Sequence, residues 1–446
     1  MIRSDVLIVG GGIAGLLAFR RLKNAGLSVV LLEKNALGEG QTLASQGIIH
    51  GGSKYALQGK LNASATEVAE MTGVWAKYLR GEGIDLSRVK CLSSHHYLWA
   101  SGFAASLKTL ISSKVLSSEN RVLAPKEYPD FFKVPEFSGS LCELDEVVLD
   151  PLSLLQELVG SDLECCIQVS NQVKAHWNLS QQVEKITDGS IEFQANYYLF
   201  MAGVGNESYL PRGIYPSPMK GLGLQRGIFS LGEVSEPTNS KGLLGGEEAF
   251  SNEKRQGWKP VSSLERGIET QVMQTRPLNM VAVKHPDLKP IYLHYVGKGV
   301  LPELTITSHP SSKGSFAWYL GGAIAEEGVH RSDEEQKAVA QAYLARLFSW
   351  KYPKVVFDEA HYECFSLVRA ERFNHGKRPD GVGIWSSQNA FMGWPTKLTL
   401  APALVEEIFH RMDFSGKIGV DCALLKAQLD PLPKAQWGKA WWESDE

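Results

Sequence analysis

The sequence predicts an α/β fold: a parallel sheet wound with helices, interrupted by a second, mostly antiparallel β region. Three observations predict it. An apolar strand near the N-terminus runs into a Gly-rich turn and then an amphipathic helix. A second short strand ending in an acid follows at once. From about residue 216 to 365 the pattern changes to short alternating runs separated by Pro, Gly and Lys turns.

The first strand is Asp5-Val6-Leu7-Ile8-Val9, apolar enough to be buried on both faces. It meets Gly10-Gly11-Gly12-Ile13-Ala14-Gly15, and Leu16, Phe19 and Leu22 then recur at helical spacing up to Gly26. The second strand, Ser28–Leu32, ends at Glu33-Lys34. This is G-x-G-x-x-G between strand and helix, with an acid 18 residues after the last glycine. Gly10 permits the tight turn, Gly12 the approach of a pyrophosphate, and Gly15 close helix–strand packing. The backbone N–H groups of Ile13 and Ala14 at the helix start, with its positive dipole end, suit the phosphates. Glu33, followed by Lys34, can accept from both ribose hydroxyls and disfavours a 2′-phosphate. The unit therefore marks a dinucleotide site, and by itself leaves FAD and NAD both open.

Later elements read in order as a helix over Glu67–Gly81, a strand at Tyr97–Ala100, and a helix over Ser106–Leu116. Another helix starts with Asp150 as N-cap and Pro151 at its first position. Strands near Gln182–Ile186 and Ser190–Gln194 are joined through Thr187-Asp188-Gly189, a hairpin signal, and lead toward Ala202-Gly203. The alternating region gives strands at Met280–Lys284, Ile291–Val296, Leu304–Ser308 and Phe316–Gly321. A helix follows over Ser332–Phe348, with Ser332 and Glu335 placed as a capping box. Val382–Trp385 reads as a strand and Asn389–Lys397 as a loop of small and polar residues. An amphipathic helix then begins near Leu400, with Pro402 in its first turn. The tail carries Trp437, Trp441 and Trp442, which suit packing on the body, an oligomer contact or a membrane surface.

Composition narrows the class. The chain has 446 residues, 43% apolar and 21% charged, which fits a globular protein of two domains or one large unit with insertions. A formal charge of −3 gives no reason to expect a nucleic acid partner. Six cysteines are scattered without a C-x-x-C pair, so they read as buried reduced thiols in a cytoplasmic protein. No charged segment precedes the first apolar run, so a signal peptide is not expected, and no apolar stretch reaches ~18 residues. The pairs His95-His96 and His361/Glu363 lack partners at metal-ligand spacing, and no metal is assigned.

Three segments carry a family resemblance. Ile48-Ile49-His50-Gly51-Gly52-Ser53-Lys54-Tyr55 follows the small-residue loop Gly38–Gly47; Tyr197–Met201 ends in Ala202-Gly203; Gly383-Ile384-Trp385 and Gly393 precede Leu398-Thr399-Leu400-Ala401-Pro402. With the N-terminal unit they resemble the FAD-dependent family that includes D-amino-acid oxidase, glycine oxidase and sarcosine oxidase. The His50 segment is most similar to glycerol-3-phosphate and L-2-hydroxyglutarate dehydrogenases. The resemblance implies a Rossmann-like FAD-binding domain of the GR2 type, over 1–90, 145–215 and 366–446. It also implies a substrate domain over 91–144 and 216–365. It places Thr42, Ser45, Gln46 and Gly47 along the flavin, Ala202 and Gly203 beside it, and Gly393, Lys397, Leu398 and Thr399 at its pyrimidine edge. Lys397 there would stabilise the negative charge of the reduced ring, or else sit in solvent.

The implied reaction is oxidation of a small hydroxy acid, glycerol-phosphate-like or amine substrate by hydride transfer to flavin N5. Oxygen, a quinone or another carrier serves as acceptor. An NAD-dependent dehydrogenase and a flavin protein without oxidase activity are the alternatives. His50 has a side chain whose ordinary pKa suits a general base, and it competes there with a covalent flavin link and a structural role. Arg369, in Phe365-Ser366-Leu367-Val368-Arg369-Ala370, is the candidate clamp for a substrate anion, with Arg372 and Arg378 as alternatives. Tyr55 and Tyr319 would either close the pocket or pack in the core.

Overall fold

The computed structural model describes residues 1–51, 63–101, 120–211, 272–297, 302–311, 315–379, 381–415, 419–440 and 442, with side chains from 67 onward in the second of these segments. All belong to one compact unit, Met1–Pro211 with Val272–Glu446. Residues 212–271, the expected helix over Ser106–Leu116, Tyr55 and Trp441 lie outside the described residues.

Strand β1 (Ile2–Val9), helix α1 (Ile13–Asn24) and strand β2 (Val29–Glu33) form where the sequence places them. β1 lies centrally, parallel to β2 on one side and to Ile191–Phe200 on the other. The sheet continues through Ala390–Trp394 and Gly383–Ser386 at one end and Cys166–Gln168 at the other. Helices Pro151–Val159 and Ala401–Arg411 pack on α1. Asp150 caps the former, its carboxylate accepting from Ser153 N at 2.7 Å.

Two expectations are corrected here. The stretch Asn389–Lys397 is not all loop: Ala390–Trp394 is a wholly buried strand, parallel to Tyr198–Phe200. Its Gly393 is there for packing, since a Cβ would lie 2.9 Å from Met201 Sδ and 3.0 Å from Leu404. The hairpin strands at 182–194 are real, but the second runs unbroken to Phe200, so Ala202-Gly203 follows the strand as a 3-10 turn.

Among the described residues the second sheet has eight strands, all antiparallel except Leu293–Val296 beside His96–Ala100. The four expected runs are present, the first lengthened to Met273–Lys284. Beside it lies His361–Arg372, a strand the sequence pattern did not reveal. The face bearing Val281, Val283, Trp318 and Leu320 is closed by helix Asp333–Leu347 and Phe348. That helix has the expected Ser332–Glu335 capping box.

The opposite face, with Leu278, Met280 and Tyr319, turns toward the N-terminal loop. Tyr319 Oη donates to Ala44 O at 2.8 Å, and Gln46 Nε2 donates to Thr305 O and Tyr319 O at 3.2 and 2.9 Å. Tyr319 is therefore a buried tie between loop and sheet.

The C-terminal tail packs on the body. Leu37 N donates to Gln436 O and Gly438 N to Leu37 O; Trp437 is half-buried, and Trp442 is buried and stacked on His309. Of the cysteines, Cys142, Cys165 and Cys166 are buried, whereas Cys91 and Cys422 are exposed and Cys364 is half-buried; all six are free thiols. Among the described residues no helix is long and apolar enough to cross a membrane.

Candidate active site

The Gly-rich turn is built as a cradle. Gly10 has φ +108° and approaches Met201 so closely that a Cβ would lie 2.6 Å from its carbonyl oxygen. A Cβ on Gly15 would sit 1.9 Å from Gly10 O, so helix and strand meet only because both positions are bare. At Gly12 the single near atom is Thr42 Oγ1, at 3.1 Å from a Cβ, which leaves its outer side open. Helix α1 starts there without a side-chain cap on Gly12 and without an acid in its first turn. Ile13 N donates to Thr42 Oγ1 at 3.0 Å, and Glu33 Oε2 accepts from Gly11 N at 2.6 Å. A helix start without an acid, beside a hydroxyl and a carboxylate, fits a dinucleotide pyrophosphate and ribose. Lys34 is exposed at the rim, Ala14 packs inside the helix start, and Ser45 Oγ accepts from Gly47 N at 3.4 Å.

Segments far apart in sequence meet at His50. Its backbone N donates to Thr399 Oγ1 at 2.8 Å, and Thr399 O accepts from Trp75 Nε1 at 3.0 Å. On the other side the loop is laced to the segment after strand Ser140–Leu144. Leu149 N donates to Gly47 O at 2.9 Å and Ile49 N to Val147 O at 2.8 Å. Leu398 and Thr399 form the short 3-10 turn that starts the last large helix, and the Lys397 ammonium preceding them is shielded from solvent. Ala202-Gly203 is tied to the same region, Trp394 Nε1 donating to Gly203 O at 3.2 Å.

Beside His50 stand two residues that sequence reasoning missed. Glu146 is fully buried; its Oε2 lies 3.2 Å from His50 Nδ1 and 3.1 Å from His294 Nε2, and its Oε1 accepts from Gly51 N at 3.2 Å. Burial alone would raise this carboxyl, but the charge and hydrogen bonds of His50 and His294 hold it well below the usual carboxylate range. The three donor atoms fall within 4.8 Å of one another, with Oε2 shared by both imidazoles. His96, half of the noted His95-His96 pair, is buried with its ring 4.2 Å from that of His294. A usable signal existed for His294: a histidine at an inward position of an otherwise apolar strand. Glu146 offered none.

Arg369 faces Arg276 across two strands, in register. Their guanidinium groups share Glu326, at 3.5 and 3.4 Å, and Arg276 also lies 3.5 Å from the buried Glu371. Burial, then the charges of Arg276 and Arg378, lower the Arg369 pKa to about 10 against the pull of Glu326 and Glu371. Its Nε is buried, with no hydrogen-bond partner among the described residues. The crowding of positive charge makes an added anion favourable. Gln41 Nε2 donates to Val368 O at 2.8 Å, fastening the N-terminal loop to this strand. Of the alternatives, Arg378 is exposed and Arg372 half-buried.

Comparison with known proteins agrees with this architecture. Residues 5–202 match the model of the DAO family, described as FAD dependent oxidoreductase. A Pseudomonas aeruginosa protein named "Probable FAD-dependent oxidoreductase PA4991" is 33% identical over 446 residues, covering 98% of both chains. The crystal structure of the P. aeruginosa FAD dependent oxidoreductase PA4991 superposes with TM-score 0.72 at 28% identity, over 99% of this chain and 98% of that one. Glycine oxidase from Geobacillus kaustophilus is similar at TM-score 0.55 and 13% identity, over 95% and 98%. L-alpha-glycerophosphate oxidase from Mycoplasma pneumoniae, solved with FAD bound, has TM-score 0.53 and 14% identity, over 94% and 100%. These last two share the fold.

Proposed function

We propose, on the premise that this chain belongs to the DAO family of FAD-dependent oxidoreductases, that it oxidises a small carboxylate-bearing alcohol or amine. His50 serves as base and Arg369 as clamp. Membership of the family answers the question between FAD and NAD in favour of FAD, and that between an oxidoreductase and a flavin carrier in favour of the enzyme. The observation that carries the reading is that His50, held by Thr399 through its backbone, joins through Glu146 to His294, on the sheet face that also bears Arg276 and Arg369. Bound FAD supplies the acceptor for a hydride equivalent from the substrate carbon.

The residues divide the remaining work. Gly10, Gly12 and Gly15 with the helix start bind the pyrophosphate, and Glu33 the ribose. Thr42, Ser45, Gln46 and Gly47 line the path of the ring; Ala202, Gly203, Gly393, Lys397, Leu398 and Thr399 support its far side. Arg369, helped by Arg276, holds the substrate carboxylate. His50 removes the heteroatom proton as the hydride leaves. The second sheet acts as the substrate-binding part of the molecule, and the Rossmann-like sheet with its helices as the FAD-binding part. An amino acid, a 2-hydroxy acid and a glycerol phosphate all offer an oxidisable carbon near an anion, so substrate choice within that set rests on experiment.

The test is anaerobic mixing of the FAD-loaded protein with a panel of these three classes, following loss of flavin absorbance near ~450 nm. Bleaching by at least one carboxylate-bearing compound is expected. Bleaching only by uncharged substrates would overturn the clamp, and a His50→Gln variant that bleaches as fast as the parent would overturn the base.

A further inference from the structure

We propose that Glu146 and His294 are positioning residues that fix His50 in one tautomer and hold its ring for proton removal, an inference that rests on the reading of His50 as base. Three separate segments supply the group: the loop after Gly47, the connection after strand Ser140–Leu144, and strand Leu293–Val296. Glu146 has no exposed surface, so its charge is retained only if donors surround it. It has three: Gly51 N on Oε1, and both imidazoles on Oε2.

An ionised carboxylate only accepts hydrogen bonds. The proton between it and each ring therefore belongs to histidine, at His50 Nδ1 and His294 Nε2. Neutral His50 then carries its lone pair on Nε2. Neutral His294 carries its own on Nδ1, which accepts from Thr305 Oγ1 at 2.8 Å. The groups run Thr305, His294, Glu146, His50, and they end on His50, whose side chain keeps 27% exposure where that of His294 keeps none.

The step balances simply. The substrate heteroatom–H bond breaks and its proton forms a bond to His50 Nε2. The C–H bond breaks and its hydrogen leaves with two electrons to FAD, leaving a carbonyl or imine. Glu146 takes no proton; it compensates the imidazolium that forms. Among the described residues, Glu146 and His294 are titratable groups arrayed on His50, with His96 behind the latter, ring centroids 4.2 Å apart. Lys397 lies two positions before Thr399, which receives the His50 backbone N–H.

The experiment uses FAD-loaded Glu146→Gln, Glu146→Asp, Thr305→Val and His50→Gln proteins. The first readout is the pH dependence of diethyl pyrocarbonate modification at His50, followed by peptide mass spectrometry. It needs no substrate, because the reagent attacks neutral imidazole. Loss of the Glu146 charge should move the His50 midpoint down by about one unit or more. Glu146→Asp should restore most of it. The second readout is anaerobic reduction by a substrate from the panel. We expect Glu146→Gln to slow the reduction step about 100-fold with KM changed less than 3-fold, and Thr305→Val to slow it about 3- to 10-fold.

An unmoved His50 midpoint and unmoved reduction rate in folded, FAD-bound Glu146→Gln would overturn the proposal. So would one equivalent of tightly bound zinc or iron that this variant loses. Should Glu146→Gln not fold, Glu146→Asp and Thr305→Val decide by the same two readouts. If His50→Gln reduces normally, the base reading itself has failed, whatever the Glu146 variants do.

Discussion

Replacing Gly47 by Ala tests whether the backbone between the cofactor loop and Glu146 sets the chemistry. Gly47 has φ +70°, and a Cβ there would lie 2.0 Å from Leu149 O. An alanine in that backbone region costs about 1–2 kcal/mol. The contact cannot persist, so the loop must retreat from strand Val148–Leu149. Retreat breaks Leu149 N to Gly47 O and Ile49 N to Val147 O, 2.9 and 2.8 Å, at about 1 kcal/mol each. The sum is roughly 3–4 kcal/mol, or more than 100-fold at about 1.4 kcal/mol per decade. Gly40→Ala is the control: φ is +93° and nothing lies within 4 Å of a Cβ, so only the backbone cost applies. The assay is thermal melting of the FAD-loaded proteins plus anaerobic flavin reduction. Gly47→Ala should melt below Gly40→Ala by the extra ~2 kcal/mol of the two lost bonds and reduce up to about 30-fold more slowly, with FAD still bound. Matching behaviour of the two variants in both measurements would refute the reasoning.

Other outcomes follow from the same geometry. Thr42→Val removes the hydroxyl that ties the loop to Ile13 N, and FAD affinity measured by fluorescence titration should fall about 3- to 10-fold, one hydrogen bond's worth; an unchanged affinity would show that this tie does not shape the cofactor site. Arg369→Ala should raise KM for a carboxylate substrate about 100-fold, and Arg369→Lys about 10-fold, with FAD content unaltered; a change confined to kcat would count against the clamp. The Glu146 carboxyl is held below its ordinary value of 4.5, so its contribution to stability is complete above that pH and drains away as pH falls toward the lower folded value. The difference in melting temperature between parent and Glu146→Gln should therefore be largest at neutral pH and shrink as the solution is made more acid than about pH 4.5; a constant difference would show that the carboxylate is not ionised in the folded protein.

How much of this was legible from the chain depends on distance along it. The cradle from Gly10 to Glu33 is local: turn, helix start and acid fall within one strand–helix–strand unit, and each residue type has its own steric or electrostatic reason. The capping box at Ser332 and the Asp150 cap were legible for the same reason. Ala390–Trp394 was misread because a strand buried on both faces shows no alternation, and Gly393 looks like a loop residue until Met201 and Leu404 are seen against it. His361–Arg372 was hidden by its charge, since its His, Glu and Arg side chains mask the period of two. Glu146 joins His50 across 96 positions and His294 across 148, and no pattern in either neighbourhood records that meeting.

What brings the arginines and the histidines onto one surface is register. Arg276, Leu278, Met280 and Ala282 alternate with the packed core face of their strand. Arg369 stands opposite Arg276, Tyr319 opposite Ala282, and Thr307 opposite Tyr319. Two residues along from Thr307, on the same face, Thr305 stands opposite His294. Paired residues share a side, so Arg369 and His294 face the same way although three strands separate theirs. A slip of one residue in any of these pairings would turn Arg369 or His294 into the opposite core, which Trp318, Leu320 and Phe348 fill. The hydrophobic packing that pins the register therefore also keeps Arg276, Arg369 and His294 on one face of the sheet.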